Sequence, residues 1–253
     1  MIARMAVLAL ALSLAAAPAS AQRLAGALSE YQVSVTSDFV GQTLTLFGNV
    51  EPPIGAADEL VEGPFQVIVL VTGPPQDRVV RQQTNRHLIW LNTQSETFRS
   101  IPSYKWVFSS APLPVIANDV VLESNRILFT SLGAVDPDDT DNSRLFRAQL
   151  VRLMMEKGLY GIDETGVQFR SSTLYSVKIA LPGDVPNGTF LAETFLFRNN
   201  ALVARKGESF IVRKVGLERL VGDTARDNPL LYGLTCVALA LTTGWLGGVI
   251  FRR

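Results

Sequence analysis

The chain has 253 residues, with lysine plus arginine and aspartate plus glutamate at 23 each, one histidine and one cysteine. This balance gives no basic face for nucleic acid, and a lone cysteine means that any exported portion must be stable without disulfides. With both apolar ends set aside, about 200 residues remain, enough for one large core or two small ones.

The start, "MIARMAVLALALSLAAAPASAQ", has Arg4, an apolar stretch of about 13 residues, then Pro18 and the small residues Ala19, Ser20 and Ala21. It predicts a secretory signal peptide over residues 1–21, cut before Gln22, and is too short for a comfortable membrane span.

Strand patterns dominate from Tyr31 onward. "YQVSVTS" alternates, with Tyr31, Val33 and Val35 on one face, and "QTLTLFGNV" comes after Gly41. "EPPIGAADELVEGP" reads as a loop. "FQVIVLVTG" is apolar on both faces, which predicts a central strand, ended by Pro74 and Pro75 because proline cannot donate to a ladder. Shorter strands are expected over Arg78 to Gln82, His87 to Asn92 and Tyr104 to Phe108.

The pattern then turns helical. A weak helix is expected between Pro114 and Phe129. A stronger one lies in "LFRAQLVRLMMEKG", with Leu145, Phe146, Gln149, Leu150, Leu153 and Met154 at helical spacing and Gly158 just past its end. Before it, "DPDDTDNS" offers Asp136, Asp138, Asp139 and Asp141 as hard oxygen donors. An EF-hand loop needs glycine sixth and glutamate twelfth; counted from Asp136, those positions hold Asp141 and Arg147. The stretch reads instead as a solvated loop capping a helix that begins near Ser143.

Strands resume in "LYSVKIALP", which puts Tyr175, Val177, Ile179 and Leu181 on one face. "GTFLAETFLFR", Asn199-Asn200 and "ALVARK" read as a hairpin, since asparagine tolerates the positive φ of a tight turn. "ESFIVRKV" closes the set. Seven or so strands with turn signals predict a mainly β fold, an immunoglobulin-like sandwich over residues 22–214 with a helical insertion at about 112–165. Residues 215–229 form a juxtamembrane segment, either a short interfacial helix or an ordinary linker.

From Leu230 to Phe251 no residue is charged, and a helix of that length spans about 33 Å, close to the hydrocarbon thickness of a bilayer. Pro229 suits a first helical turn and Asn228 its cap. A transmembrane helix is expected over 230–251, with Arg252 and Arg253 anchoring a cytoplasmic tail by the positive-inside tendency. Export of the N-terminus gives the same orientation. Cys236, Ala240, Gly244 and Gly248 recur every four residues, a stripe on which a second helix can pack closely; glycine is also common in such helices without that role.

Three stretches of this sequence, the tail from "FIVRKVGLERL" to "GGVIFRR", "VSVTSDFVGQTLTLFG" and "LPGDVPNGTF…FLFRNNALVAR", together resemble an uncharacterised family of alphaproteobacterial transmembrane proteins. The resemblance covers nearly all of the mature chain. It implies a Gram-negative inner membrane and a periplasmic domain, and it carries over no catalytic residues.

Sites are few. No hydrolase elbow, zinc-protease helix, paired C-x-x-C or phosphate-binding glycine loop occurs. Arg81, Arg86, His87 and Trp90 could together contact an anion, through forked guanidinium donors beside an indole. The competing reading makes Trp90 core and the arginines solvated strand faces. No cofactor or metal is expected. The sequence thus predicts a non-enzymatic periplasmic binding or accessory subunit that docks on a membrane partner such as a permease, or on its own copy. The alternatives are a recognition module for anionic solutes and a membrane-anchored periplasmic enzyme.

Overall fold

The structure, a computed structural model, describes residues 22–36, 39–52, 63–86, 89–132, 141–215, 222 and 224–250. The signal-peptide stretch, His87, the aspartates 136, 138 and 139, residues 216–221 and 223 of the juxtamembrane segment, and the terminal Arg252 and Arg253 lie outside those residues.

The fold is mainly β, as the alternation predicts. Strands β1 (Arg23–Leu28), β3 (Gly41–Glu51), β9 (Val167–Phe169) and β10 (Leu174–Pro182) form a four-stranded sheet in the order β1-β3-β10-β9. Strands β2 (Gln32–Val35), β4 (Gln66–Thr72), β7 (Lys105–Ser109), β8 (Tyr160–Asp163), β11 (Gly188–Arg198) and β12 (Ala201–Lys214) form a six-stranded sheet in the order β2-β12-β11-β4-β7-β8. Pairing is antiparallel except for β2 with β12 and β7 with β8.

One core joins the two sheets. Leu44, Leu46, Val177, Ile179 and Leu181 from the four-stranded sheet meet Val33, Val67, Val69, Phe190, Phe210 and Val212 from the other. All four residues predicted to share one face of "LYSVKIALP" are buried there. Burial of each such side chain contributes roughly 1.5–3 kcal/mol.

β4 explains a third layer. It lies between β11 and β7, and its apolar residues alternate between two cores: Val67, Val69 and Val71 face the other sheet, while Ile68 and Leu70 face outward. Over that outer face lie α1 (Leu113–Ile116) and α2 (Asp119–Ser124), whose Leu113, Ile116 and Leu122 cover Ile68, Val107, Phe195 and Phe197. Asn118 caps α2, its side-chain oxygen accepting from the Val121 N–H at 2.9 Å. The single weak helix expected between Pro114 and Phe129 is thus two short ones, followed by a 3-10 turn at Phe129–Ser131.

Helix α3 (Asp141–Glu156) buries Leu150 and Met154 and stops at Gly158, whose φ is +69°. The Leu159 N–H reaches back to the Met154 carbonyl at 3.0 Å and the Gly158 N–H to Met155 at 2.9 Å. This six-to-one and five-to-two pair is the Schellman arrangement.

Three sequence expectations change. The stretch 112–165 is not wholly helical, because Tyr160–Asp163 is a strand paired with β7. "ALVARK" and "ESFIVRKV" are one continuous strand, β12, after the turn at Asn199 (φ 50°) and Asn200 (φ 62°). The short strands expected at Arg78 and His87 belong instead to a long hairpin of β5 (Pro75–Arg86) and β6 (Ile89–Pro102), a separate two-stranded sheet. The sequence pattern does not predict β1, β8 or β9; β9 is three residues long and β8 four, too short to show a period.

Helix α4 (Pro229–Ile250) runs 22 residues, with Pro229 in its first turn and the Tyr232 N–H bonded to the Asn228 carbonyl at 3.0 Å. Among the described residues it is the one helix long and apolar enough to cross a membrane, and none of that apolar window is buried within the protein. Its hydroxyls are satisfied internally: Thr235 donates to the Leu231 carbonyl at 2.8 Å and Thr243 to Leu239 at 2.7 Å.

Candidate functional site

The residue that organises the candidate site is Lys105. Period-two alternation along β7 puts Trp106 and Phe108 against the inter-sheet core and Lys105 on the outer face with Val107. The residue is only 2 % exposed. Its ammonium donates to the carbonyl oxygens of Arg126 at 2.8 Å and Leu128 at 2.7 Å, and it stands 5.3 Å from the centroid of the Phe129 ring.

The end of α2 makes those acceptors available. Arg126 adopts φ 55°; its N–H bonds to Glu123 at 2.8 Å and that of Ile127 to Leu122 at 2.9 Å, a second Schellman closure. Carbonyls past a helix C-terminus carry partial negative charge, which suits an ammonium. Burial nevertheless lowers the Lys105 pKa from its ordinary 10.5 to about 8. At neutral pH the group is therefore still mostly charged, and among the described residues no carboxylate lies within ion-pair distance of it.

Beside Lys105 opens a cleft of about 920 Å³. Leu70 and Thr72 of β4 and Glu193 and Arg205 of β11 and β12 line it from the sheet, Glu123, Asn125 and Arg126 from the end of α2, and Ser100 and Pro102 from β6. Arg205 donates to Glu193 through both Nε, at 3.1 Å, and Nη2, and its guanidinium lies 5.1 Å from the centroid of Phe195. The cleft lies where the helical cover of the outer sheet face ends, and its volume falls within the range of small-molecule sites.

Of the residues singled out from sequence, Arg81, Arg86 and Trp90 are not among those lining the cleft. Arg81 is exposed on β5, paired with Ser95. Arg86 pairs with Ile89 and Trp90 with Asn85, neighbouring rather than opposed positions near the distal end of the hairpin. Among the described residues no group of three or more His, Cys, Asp or Glu could hold a metal ion. On α4, Cys236, Ala240, Gly244 and Gly248 are all exposed, and a Cβ built on either glycine would meet nothing within 4 Å. The sequence signal for Lys105 is faint: one charged residue in phase with Val107 in "YKWVF".

Residues 23–253 match a family profile described as "Putative transmembrane protein (Alph_Pro_TM)". The chain belongs to that family, and its apolar terminal helix places it in a membrane. No curated protein matches it in sequence. Among solved structures it is similar to the N-terminal domain of the Streptococcus gordonii adhesin Sgo0707, at 10% identity and a TM-score of 0.28, over 76% of this chain and 32% of that one. So slight a likeness bears on neither topology nor function.

Proposed function

We propose that this member of a transmembrane family is a single-pass protein of the bacterial inner membrane, with its β domain in the periplasm as a non-enzymatic recognition module. The signal-peptide pattern of residues 1–21 and the arginine pair at 252–253 support that orientation. In this reading α4 anchors the module and docks it on a membrane partner, such as a permease, or on a second copy.

One observation carries the recognition role: the cleft of about 920 Å³ beside Lys105, walled by the sheet, α2 and the base of the β5–β6 hairpin. Its one strongly perturbed group is engaged structurally, since the Lys105 ammonium is tied to two carbonyls. A pKa near 8 would suit a lysine base, but a base must also be free to move to its substrate, and this ammonium is held. Binding fits this geometry better than catalysis.

The test uses the full chain purified from native membranes and native mass spectrometry. Ser124 is exposed at the cleft wall, and Ser124→Trp fills the mouth. Wild type should carry a small solute that the variant lacks, with membrane partners common to both. Identical solute content in the two, or none in either, overturns the recognition role.

A further inference from the structure

We infer that the cleft takes an anion, the carboxylate or phosphate group of a small solute, at the ammonium of Lys105. This deepens the recognition reading and rests on it.

Among the described residues the hydrogen-bond shell of the Lys105 ammonium is incomplete. An ammonium has three donors, and among the described residues the Lys105 Nζ uses two, on the Arg126 and Leu128 carbonyls. These are neutral acceptors. A buried cation without a counter-charge is costly, which is why buried charges are usually paired. Among the described residues no carboxylate supplies the pairing, and Lys105 is one of the residues lining an open cleft.

The other charges around the cleft agree. Glu193 is neutralised by the two-donor contact from Arg205. Glu123 accepts from the Thr130 hydroxyl at 3.2 Å. Arg126, whose carbonyl accepts from Lys105, is exposed and also lines the cleft. Among the described residues of the lining, Lys105, Arg126 and Arg205 against Glu123 and Glu193 leave one positive charge in excess. An anion seated there accepts the third N–H of Lys105 and can accept a forked pair from Arg126, charge-assisted bonds stronger than neutral ones.

The experiment reconstitutes the full chain in phosphatidylcholine nanodiscs and follows its melting temperature against inorganic phosphate and against acetate, with chloride at matched ionic strength as control. A second set of discs contains phosphatidylglycerol. Saturable stabilisation by phosphate or acetate, absent with chloride, is expected; saturation only in the phosphatidylglycerol discs assigns the anion to a lipid headgroup. Lys105→Met should abolish the response. Because that variant strips two carbonyls of their donor and could misfold, Arg126→Asn is the second arm. Asparagine tolerates positive φ and keeps the backbone carbonyl, so the fold is retained and apparent affinity should fall at least tenfold. An unchanged response in Arg126→Asn, or no anion effect beyond chloride in wild type, overturns the inference. A neutral solute that co-purifies and that Ser124→Trp excludes would sink the anion assignment while leaving the recognition role standing.

Discussion

The ring of Tyr175 lies across Gly48, the residue directly opposite it on the adjoining strand, so closely that a Cβ on Gly48 would fall 2.1 Å from the ring. Trp106 and Gly161 repeat the device across β7 and β8, with 2.7 Å between a built Cβ and the indole. In each pair the missing side chain makes room for a large ring, and for Tyr175 that ring is fully buried in the inter-sheet core. Gly48→Ala forces the phenol out of its place. It should cost about 3 kcal/mol, at the upper end for overpacking, seen as a lower denaturant midpoint and a loss of near-ultraviolet dichroism.

Gly158 supplies a contrast. Its φ is +69°, yet a Cβ there meets nothing within 4 Å. Gly158→Ala therefore meets only the left-handed backbone penalty, about 1 kcal/mol, and near-ultraviolet dichroism should be unchanged. A loss as large as that of Gly48→Ala would contradict the open space around it.

Lys105 and the buried tyrosines give a stability profile with opposite slopes. The folded-state pKa of Lys105 is near 8 against 10.5 when unfolded. Between those values the unfolded chain holds a proton that the folded one has released, so stability rises with pH, by up to about 3 kcal/mol. Above pH 10 the tyrosines reverse it. Burial pushes Tyr175 up to about 12 and Tyr104 and Tyr160 higher still, so the unfolded chain ionises first and stability falls. Urea midpoints from pH 7 to 11 should pass through a maximum near pH 10. In Lys105→Met the rising limb should vanish and the falling limb persist.

Helix α4 should hold the chain in the membrane fraction through alkaline carbonate washing, and deletion of residues 229–253 should release it. Within the helix, Gly244→Leu combined with Gly248→Leu should leave insertion intact and weaken association with a second helix. Crosslinking yield in native membranes measures this, and an unchanged yield would rule out that face as the contact.

Much of the fold is legible locally. The alternation of Tyr175, Val177, Ile179 and Leu181, the two-faced apolar run of β4, the Asn199-Asn200 turn and the stop at Gly158 each depend on residues a few positions apart. Legibility fails where elements are short or where partners are distant. Strands β8 and β9 have too few residues to display a period, and the long β5–β6 hairpin reads as fragments because neither strand keeps a sustained apolar–polar alternation.

Sequence alone settled the β class, the central place of "FQVIVLVTG" and the apolar terminal helix, since each follows from side-chain period and length. The cleft is different in kind. Lys105 meets Arg126 and Leu128 across more than twenty positions, and Glu193 and Arg205 join the same wall from strands β11 and β12. Nothing in a local pattern records that a lone charge on an outer sheet face will be covered by the end of a six-residue helix. Strand order and the docking of that helix decided it, because both depend on which apolar faces find one another once the whole chain has collapsed.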